Sequence, residues 1–288
     1  MECNNATLNQ HLSGNTRLPV LPPGVSYLLK VVMDDEIGFH ELAHEIERFP
    51  TITARLISLA NSAWASPRSP VTNLNQACVQ LGLQVVRSLS IALAISSPFN
   101  PSRCPAFHAE RFWCTCMLVG EGAGRLSEQA GARLECDPQT ARTAGLLHSL
   151  GLLWLADNIP EETAQALSLD EADPTSCVRQ ALRQTVGDDY CSVGGCLGQA
   201  WALPDVLTNA MRYHCDKSYH GTSWQTAALV GSAANMVSRL YRGEDFQAED
   251  PRLKKLEFAE SELESVFQKL ADQFERTQEL AKALFQNN

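Results

Sequence analysis

The chain has 288 residues, a formal charge of −10 and 44% hydrophobic residues. It is long enough to bury a substantial core and too acidic for phosphate-driven nucleic-acid binding. No run approaches the roughly 18 apolar residues of a membrane span, and Met1-Glu2-Cys3-Asn4-Asn5 lacks both a basic leader and an apolar signal core, so a cytoplasmic location is expected.

Helical periodicity dominates from end to end, and an all-α fold is expected, because neither sustained alternation nor a βαβ rhythm occurs. Residues 1–16 are polar and read as a flexible tail. Leu18-Pro19-Val20-Leu21-Pro22-Pro23 is an extended, proline-fixed segment that leads to a first helix near Gly24. Tyr27, Leu28, Val31 and Val32 form its apolar stripe. Phe39, Leu42, Ala43, Ile46 and Phe49 form a second stripe after the Asp34-Asp35 break. Pro50 opens a third helix, with Ile52, Leu56, Leu59, Ala60 and Ala63 facing inward. Asn73 is placed to cap the next helix, and Gly82 separates that from a helix over Leu83–Ile95.

Pro98, Pro101 and Pro105 mark a boundary near residue 100. Helices are then predicted around 106–128, 138–157, 160–168, 174–185, 189–201, 204–215 and 222–242. Residues 244–254 are charged and irregular, with Arg252, Lys254 and Lys255 the densest basic cluster. The glycine-free stretch 255–286 is predicted as one helix. Its Leu263, Phe267, Leu270, Phe274, Thr277, Ala281 and Leu284 fall at 4–3 spacing, which suits either packing on the protein's own body or a coiled-coil contact.

Ten cysteines in a chain of this size do not suggest a small disulfide scaffold. The tightest pairs, Cys114/Cys116 and Cys191/Cys196, have no second pair at zinc spacing, so reduced core thiols are expected rather than a metal site. His40 and His44 share a helix face but have no third ligand, and read as surface residues. No Gly-x-Ser-x-Gly elbow and no phosphate-binding Gly-x-x-x-x-Gly-Lys loop occur. The glycines of Gly194-Gly195-Cys196-Leu197-Gly198 suit close helix packing. His148 lies in the apolar run Gly145-Leu-Leu-His-Ser-Leu-Gly-Leu-Leu-Trp154, followed by a serine rather than an acid.

The first half resembles the HDOD module, the HD-related output domain of bacterial signalling proteins. The matching residues are Leu21-Pro22-Pro23, Glu41-Leu42-Ala43 with Ile46-Glu47, and the run Pro50 to Ala63 containing Leu59-Ala60-Asn61-Ser62-Ala63. Leu74 to Leu83, with Ala77-Cys-Val-Gln-Leu81-Gly82-Leu83, and Val86-Arg87-Ser88-Leu89 complete the match. The resemblance extends over about residues 17–242. It implies a multi-helical HD-superfamily-like bundle with an amino-terminal helical lobe: a module over 17–245, with lobes 17–100 and 101–245, followed by a carboxy-terminal helical segment 246–288.

The resemblance also implies where the superfamily's metal ligands would fall. After Phe112-Trp113 the early histidine is replaced, with Thr115 in its place. The His-Asp pair corresponds to His148-Ser149, a further histidine to Tyr190, and paired histidines to His214-Cys215. The final aspartate corresponds to Asn235. Two imidazoles without acids cannot hold a two-metal hydrolytic centre, so no catalytic residue, metal or cofactor is expected. Thr115, His148, Ser149, Tyr190, His214 and Asn235 are expected to form a polar knot or the lining of a small-ligand pocket.

The function implied is a non-catalytic output or adaptor protein that relays a bacterial regulatory signal, of two-component or second-messenger type, through protein partners. A homodimer through the carboxy-terminal helix is compatible with it, and neither membrane nor nucleic acid is expected as a partner. The competing readings are a metal-dependent HD-type phosphohydrolase and a nucleotide-sensing regulator that binds without hydrolysis.

Overall fold

The computed structural model describes residues 21, 23–34, 36–172, 177–247 and 250–285. The predicted tail 1–16 lies outside them. Among the described residues the regular structure is helical, with no strand. No single helix is long and apolar enough to cross a membrane.

Five helices come first: α1 (Val25–Val32), α2 (Phe39–Ile46), α3 (Pro50–Ala60), α4 (Leu74–Leu81) and α5 (Leu83–Ser96). Pro50 sits at the first position of α3, where its missing N–H costs nothing. Asn73 caps α4 by accepting from the Gln76 N–H at 2.9 Å. Helices α4 and α5 meet at 114°, and the corner residue Gly82 has φ +87°, a region that glycine enters without the penalty of a Cβ. In α1 the buried set is Val25, Leu28, Leu29 and Val32. Tyr27, expected on that stripe, is 41% exposed, because its hydroxyl reaches out to donate to Glu45 at 2.6 Å.

The remaining helices are α6 (Ala109–Ala130), α7 (Pro138–Leu147), α8 (Leu150–Asn158), α9 (Pro160–Ala172), α10 (Val178–Thr185), α11 (Tyr190–Ala200), α12 (Asp205–Tyr213), α13 (Trp224–Arg242), α14 (Pro251–Lys255) and α15 (Glu260–Phe285). The long helix α6 packs against α7, α13 and α15, and α11 packs between α8 and α12. One continuous apolar core runs through all of them.

Two expectations are corrected. The helix predicted over 138–157 is two helices, α7 and α8, broken at His148 and Ser149. Packing on both sides of the break requires glycine: a Cβ on Gly145 would lie 2.7 Å from the Gly120 Cα of α6. A Cβ on Gly151 would collide with the Tyr190 carbonyl oxygen and lie 2.6 Å from the Gly194 nitrogen of α11. Each helix is therefore drawn onto a different neighbour, and the chain turns between them.

The stretch predicted as one helix over 255–286 is also interrupted, because Glu257 takes φ +56° between α14 and α15. Helix α15 then starts with the Ala259 N–H donating to the Glu262 carboxylate at 2.8 Å. Its apolar side is covered by the chain itself. Leu263, Val266, Leu270, Leu280, Ala281 and Phe285 are buried. Phe285 stacks on Trp113 of α6 with centroids 5.1 Å apart, and Phe274 meets Tyr241 of α13 edge-on at 4.8 Å.

Among the cysteines, 78, 104, 114, 116, 136, 177, 191 and 215 are free thiols.

Candidate functional site

Residues of α6, α8 to α11 and α13 to α15, with the segment that follows α12, line a cavity of about 760 Å³. The six residues singled out from the sequence all line it. Thr115 comes from α6, His148 and Ser149 from the α7–α8 break, Tyr190 from the start of α11, His214 from the end of α12, and Asn235 from α13. Residues 120 positions apart thus share one wall, because each lies where a helix starts, stops or faces inward.

At the cavity floor the rings of His148 and His214 meet edge to face with centroids 5.1 Å apart, and Tyr190 lies 5.8 Å from His214. Both imidazoles are buried, and both are oriented by backbone carbonyls. His148 Nδ1 lies 2.7 Å from the Gly145 oxygen, and His214 Nδ1 lies 3.0 Å and 3.1 Å from the oxygens of Ala210 and Met211. A carbonyl can only accept, so Nδ1 carries the proton on each ring and Nε2 presents a lone pair. Burial, then repulsion from His214, pushes the His148 pKa down to about 3, so this ring is neutral at ordinary pH. Burial opposes a charge on His214 as well, but the Cys215 sulfur and the two carbonyls outweigh it and raise its pKa.

Three thiols belong to the same region. Cys191 Sγ lies 3.8 Å from His214 Nε2, and Cys215 Sγ lies 3.5 Å from the Tyr190 hydroxyl. Ser149 is engaged elsewhere, with its Oγ 3.3 Å from Cys116 Sγ. Burial raises the pKa values of Cys191 and Tyr190 well above their usual ranges. Hydrogen bonding from Cys191 holds Cys215 well below its own, against the opposing effect of burial. Sequence reading missed this group because Cys191 and Cys215 are far apart in the chain, and the local spacing pointed to Cys196 instead.

Two charged devices hold the floor in place. Asp189 caps α11 by accepting from the N–H groups of Cys191 at 2.9 Å and Ser192 at 3.1 Å. Its other oxygen pairs with Arg179 at 3.1 Å and Arg183 at 2.6 Å. Arg252, 1% exposed, forks onto Asp250 at 2.8 and 3.1 Å. It also donates to the carbonyls of His214 at 2.8 Å and Asp216 at 2.9 Å, and so ties down the chain that leaves α12. The predicted basic cluster of Arg252, Lys254 and Lys255 is therefore not one surface feature, since its first member is internal.

Carboxylates also line the cavity: Asp170, Glu171 and Asp250. Glu171 pairs with Arg111 at 3.7 Å and lies 3.9 Å from His108. Burial raises the pKa of Asp170, with Arg111 opposing. Asp250 is held by Arg252. Ser149 and Asn235, which the family resemblance matches to the superfamily's bridging acid and final aspartate, are neutral. This donor set does not fit a carboxylate-bridged two-metal centre. His40 and His44 are both exposed, as expected, and His40 Nδ1 is 2.8 Å from the Asn75 side chain.

Comparison with known proteins places this architecture. The solved structure of a protein provisionally assigned to signal transduction, from Marinobacter aquaeolei VT8, matches with a TM-score of 0.82 at 20% identity, over 96% of this chain and 65% of that one. One provisionally assigned as a phosphohydrolase, from Shewanella amazonensis SB2B, matches with a TM-score of 0.68 at 24% identity, over 98% of this chain and 99% of that one. These likenesses establish the fold. An uncharacterised protein of Treponema pallidum (strain Nichols) is 21% identical over 267 residues, which are 91% of this chain and 50% of that one. The chain thus spans half the length of the curated relative it matches. The family model of the HDOD domain matches residues 18–217, well over half of the 288 residues, and the chain belongs to the HDOD-domain family.

Proposed function

We propose that this chain is a non-catalytic output or adaptor protein that relays a bacterial regulatory signal through contacts with protein partners. One observation carries the reading. By the family resemblance, Ser149 stands at the place of the superfamily's bridging acid and Asn235 at that of its final aspartate, while Thr115 and Tyr190 stand where histidines would be, and all four line this cavity. No acid there can bridge two metal ions or prepare a water for attack. The name of the Marinobacter protein, signal transduction, is consistent with the reading. The name of the Shewanella protein supplies the rival, a phosphohydrolase.

Turnover decides between them. Phosphodiester and phosphomonoester substrates, with Mn²⁺ or Fe²⁺ supplied, should give no rate above the metal alone. A rate that the native chain sustains and His148→Ala abolishes would overturn the adaptor reading.

A second reading has the cavity in its favour: a regulator that binds a small ligand without hydrolysing it. A volume of about 760 Å³ lies within the range of small-molecule sites, and the mixture of apolar walls with a few convergent polar groups is typical of them. Nucleotides that raise the melting temperature of the native chain, and fail to do so after Asn235→Leu, would favour this regulator.

The apolar side of α15 is engaged with α6 and α13. A partner docking on this helix would therefore meet its exposed side, which carries Glu264, Asp272, Glu275 and Glu279.

A further inference from the structure

We propose that Cys191, His214 and Cys215 form a binding site for one soft divalent cation of the zinc class, with a fourth coordination position open to the cavity. One ligand atom from each residue lies within 4.8 Å of the others, and the Cys191 Sγ to His214 Nε2 distance is 3.8 Å. Tetrahedral zinc, with bonds of about 2.3 Å to sulfur and about 2.0–2.1 Å to nitrogen, sets its ligands roughly 3.5–3.8 Å apart. The three donors need only close slightly around an ion.

The imidazole is already prepared for this role. Its Nδ1–H is spent on the Ala210 and Met211 carbonyls, the outer-shell bond that fixes a metal-binding histidine in the Nε2-donor tautomer. The backbone on either side is also held. Asp189 anchors the Cys191 N–H, and Arg252 anchors the His214 carbonyl, so two separate charged devices fix the two chain segments that supply the ligands. Cys191 and His214 are buried and Cys215 is half-buried. Binding would release one proton from each thiol to solvent. Two thiolates then balance the charge of the ion, and a neutral group occupies the buried floor.

This is not the oxygen-rich two-metal centre that the family resemblance would suggest. Thiolates select softer ions than carboxylates do, and of the aligned ligand positions only His214 and its neighbour Cys215 take part. His214 and Cys215 both line the cavity. The vacant vertex therefore faces the space a small molecule would enter, and a thiol, carboxylate or phosphate oxygen could complete the coordination. The proposal stands apart from the adaptor reading. Phosphoester turnover would overturn that reading and leave this site intact, whereas failure to bind zinc would remove this site and leave the adaptor.

The test uses the full-length chain, reduced, stripped with chelator and titrated with Zn²⁺ alone. One zinc per chain is expected by elemental analysis, together with a rise in melting temperature. Co²⁺ in its place should show thiolate-to-metal charge-transfer absorption in the near ultraviolet. Cys191→Ser and Cys215→Ser should each weaken binding by more than the ~10–100-fold that loss of an outer-shell partner costs. They should also abolish the charge-transfer intensity in proportion to the sulfur lost, while Cys136→Ser changes neither. Circular dichroism establishes that each variant is folded, and the half-buried Cys215 is the safer substitution. Substoichiometric zinc, zinc binding indifferent to both serine variants, or a Cys191–Cys215 disulfide in the zinc-saturated chain would each overturn the proposal.

Discussion

Single residues around the cavity show that it is built at some cost to stability. Asp170 lines it with a pKa raised above the usual 3.8, mainly because burial penalises the carboxylate. A folded-state pKa above the unfolded one means that the group favours folding below the unfolded value. That contribution is lost as pH rises through the folded value. Asp170→Asn should therefore be more stable than the native chain at pH 7, and the gap should close below about pH 3.8; urea midpoints across that range check it. Arg252 works in the opposite direction. Arg252→Met leaves Asp250 without its ion-pair partner and removes the side-chain donor to the His214 carbonyl, and should cost about 3–5 kcal/mol. The same change should loosen the segment that carries His214 and Cys215, read as faster amide exchange at those residues.

At the scale of elements, the break between α7 and α8 and the placement of α15 have the largest consequences. Gly151→Ala would force a methyl group into the backbone of α11 at Tyr190 and Gly194. Overpacking of this kind should cost about 1–3 kcal/mol, seen as a lower urea midpoint with an unchanged slope. Leu270, fully buried on the inner side of α15, tests whether that helix belongs to the core. Leu270→Ala should cost about 2–5 kcal/mol, whereas a helix kept for a partner would tolerate it. The 4–3 spacing already marked Leu263, Leu270 and Ala281 as inward-facing. It could not show that Val266, Leu280 and Phe285 would be buried with them, because which residues flank the seam depends on the helix that covers it, here α6. Likewise the apolar run Gly145–Trp154 reads as one helix by composition. The break arises only because two glycines are drawn to two different neighbours.

Over the whole molecule, much of the fold and part of the site were legible in the chain. Helical periodicity, the Asn73 cap and the proline start of α3 identified an all-α protein. They did so because capping and amphipathic spacing are local properties that do not need a tertiary partner to be read. Family-matched positions pointed to Thr115, His148, Ser149, Tyr190, His214 and Asn235, and these six do line one cavity. Their use by a ligand is a matter for the binding experiments above. The cysteines behaved differently. Spacing along the chain drew attention to Cys114/Cys116 and Cys191/Cys196, yet the thiols that meet an imidazole are Cys191 and Cys215, supplied by the start of α11 and the end of α12. The sequence by itself determined the helical class, the Asn73 cap and, through the family resemblance, the neutral Ser149 and Asn235 where acids would be expected. Only the tertiary structure decided that two distant thiols share a histidine and that Arg252 is an internal clamp. The reason is physical: helix periodicity is written within a few residues, whereas convergence at a cavity depends on how whole helices pack.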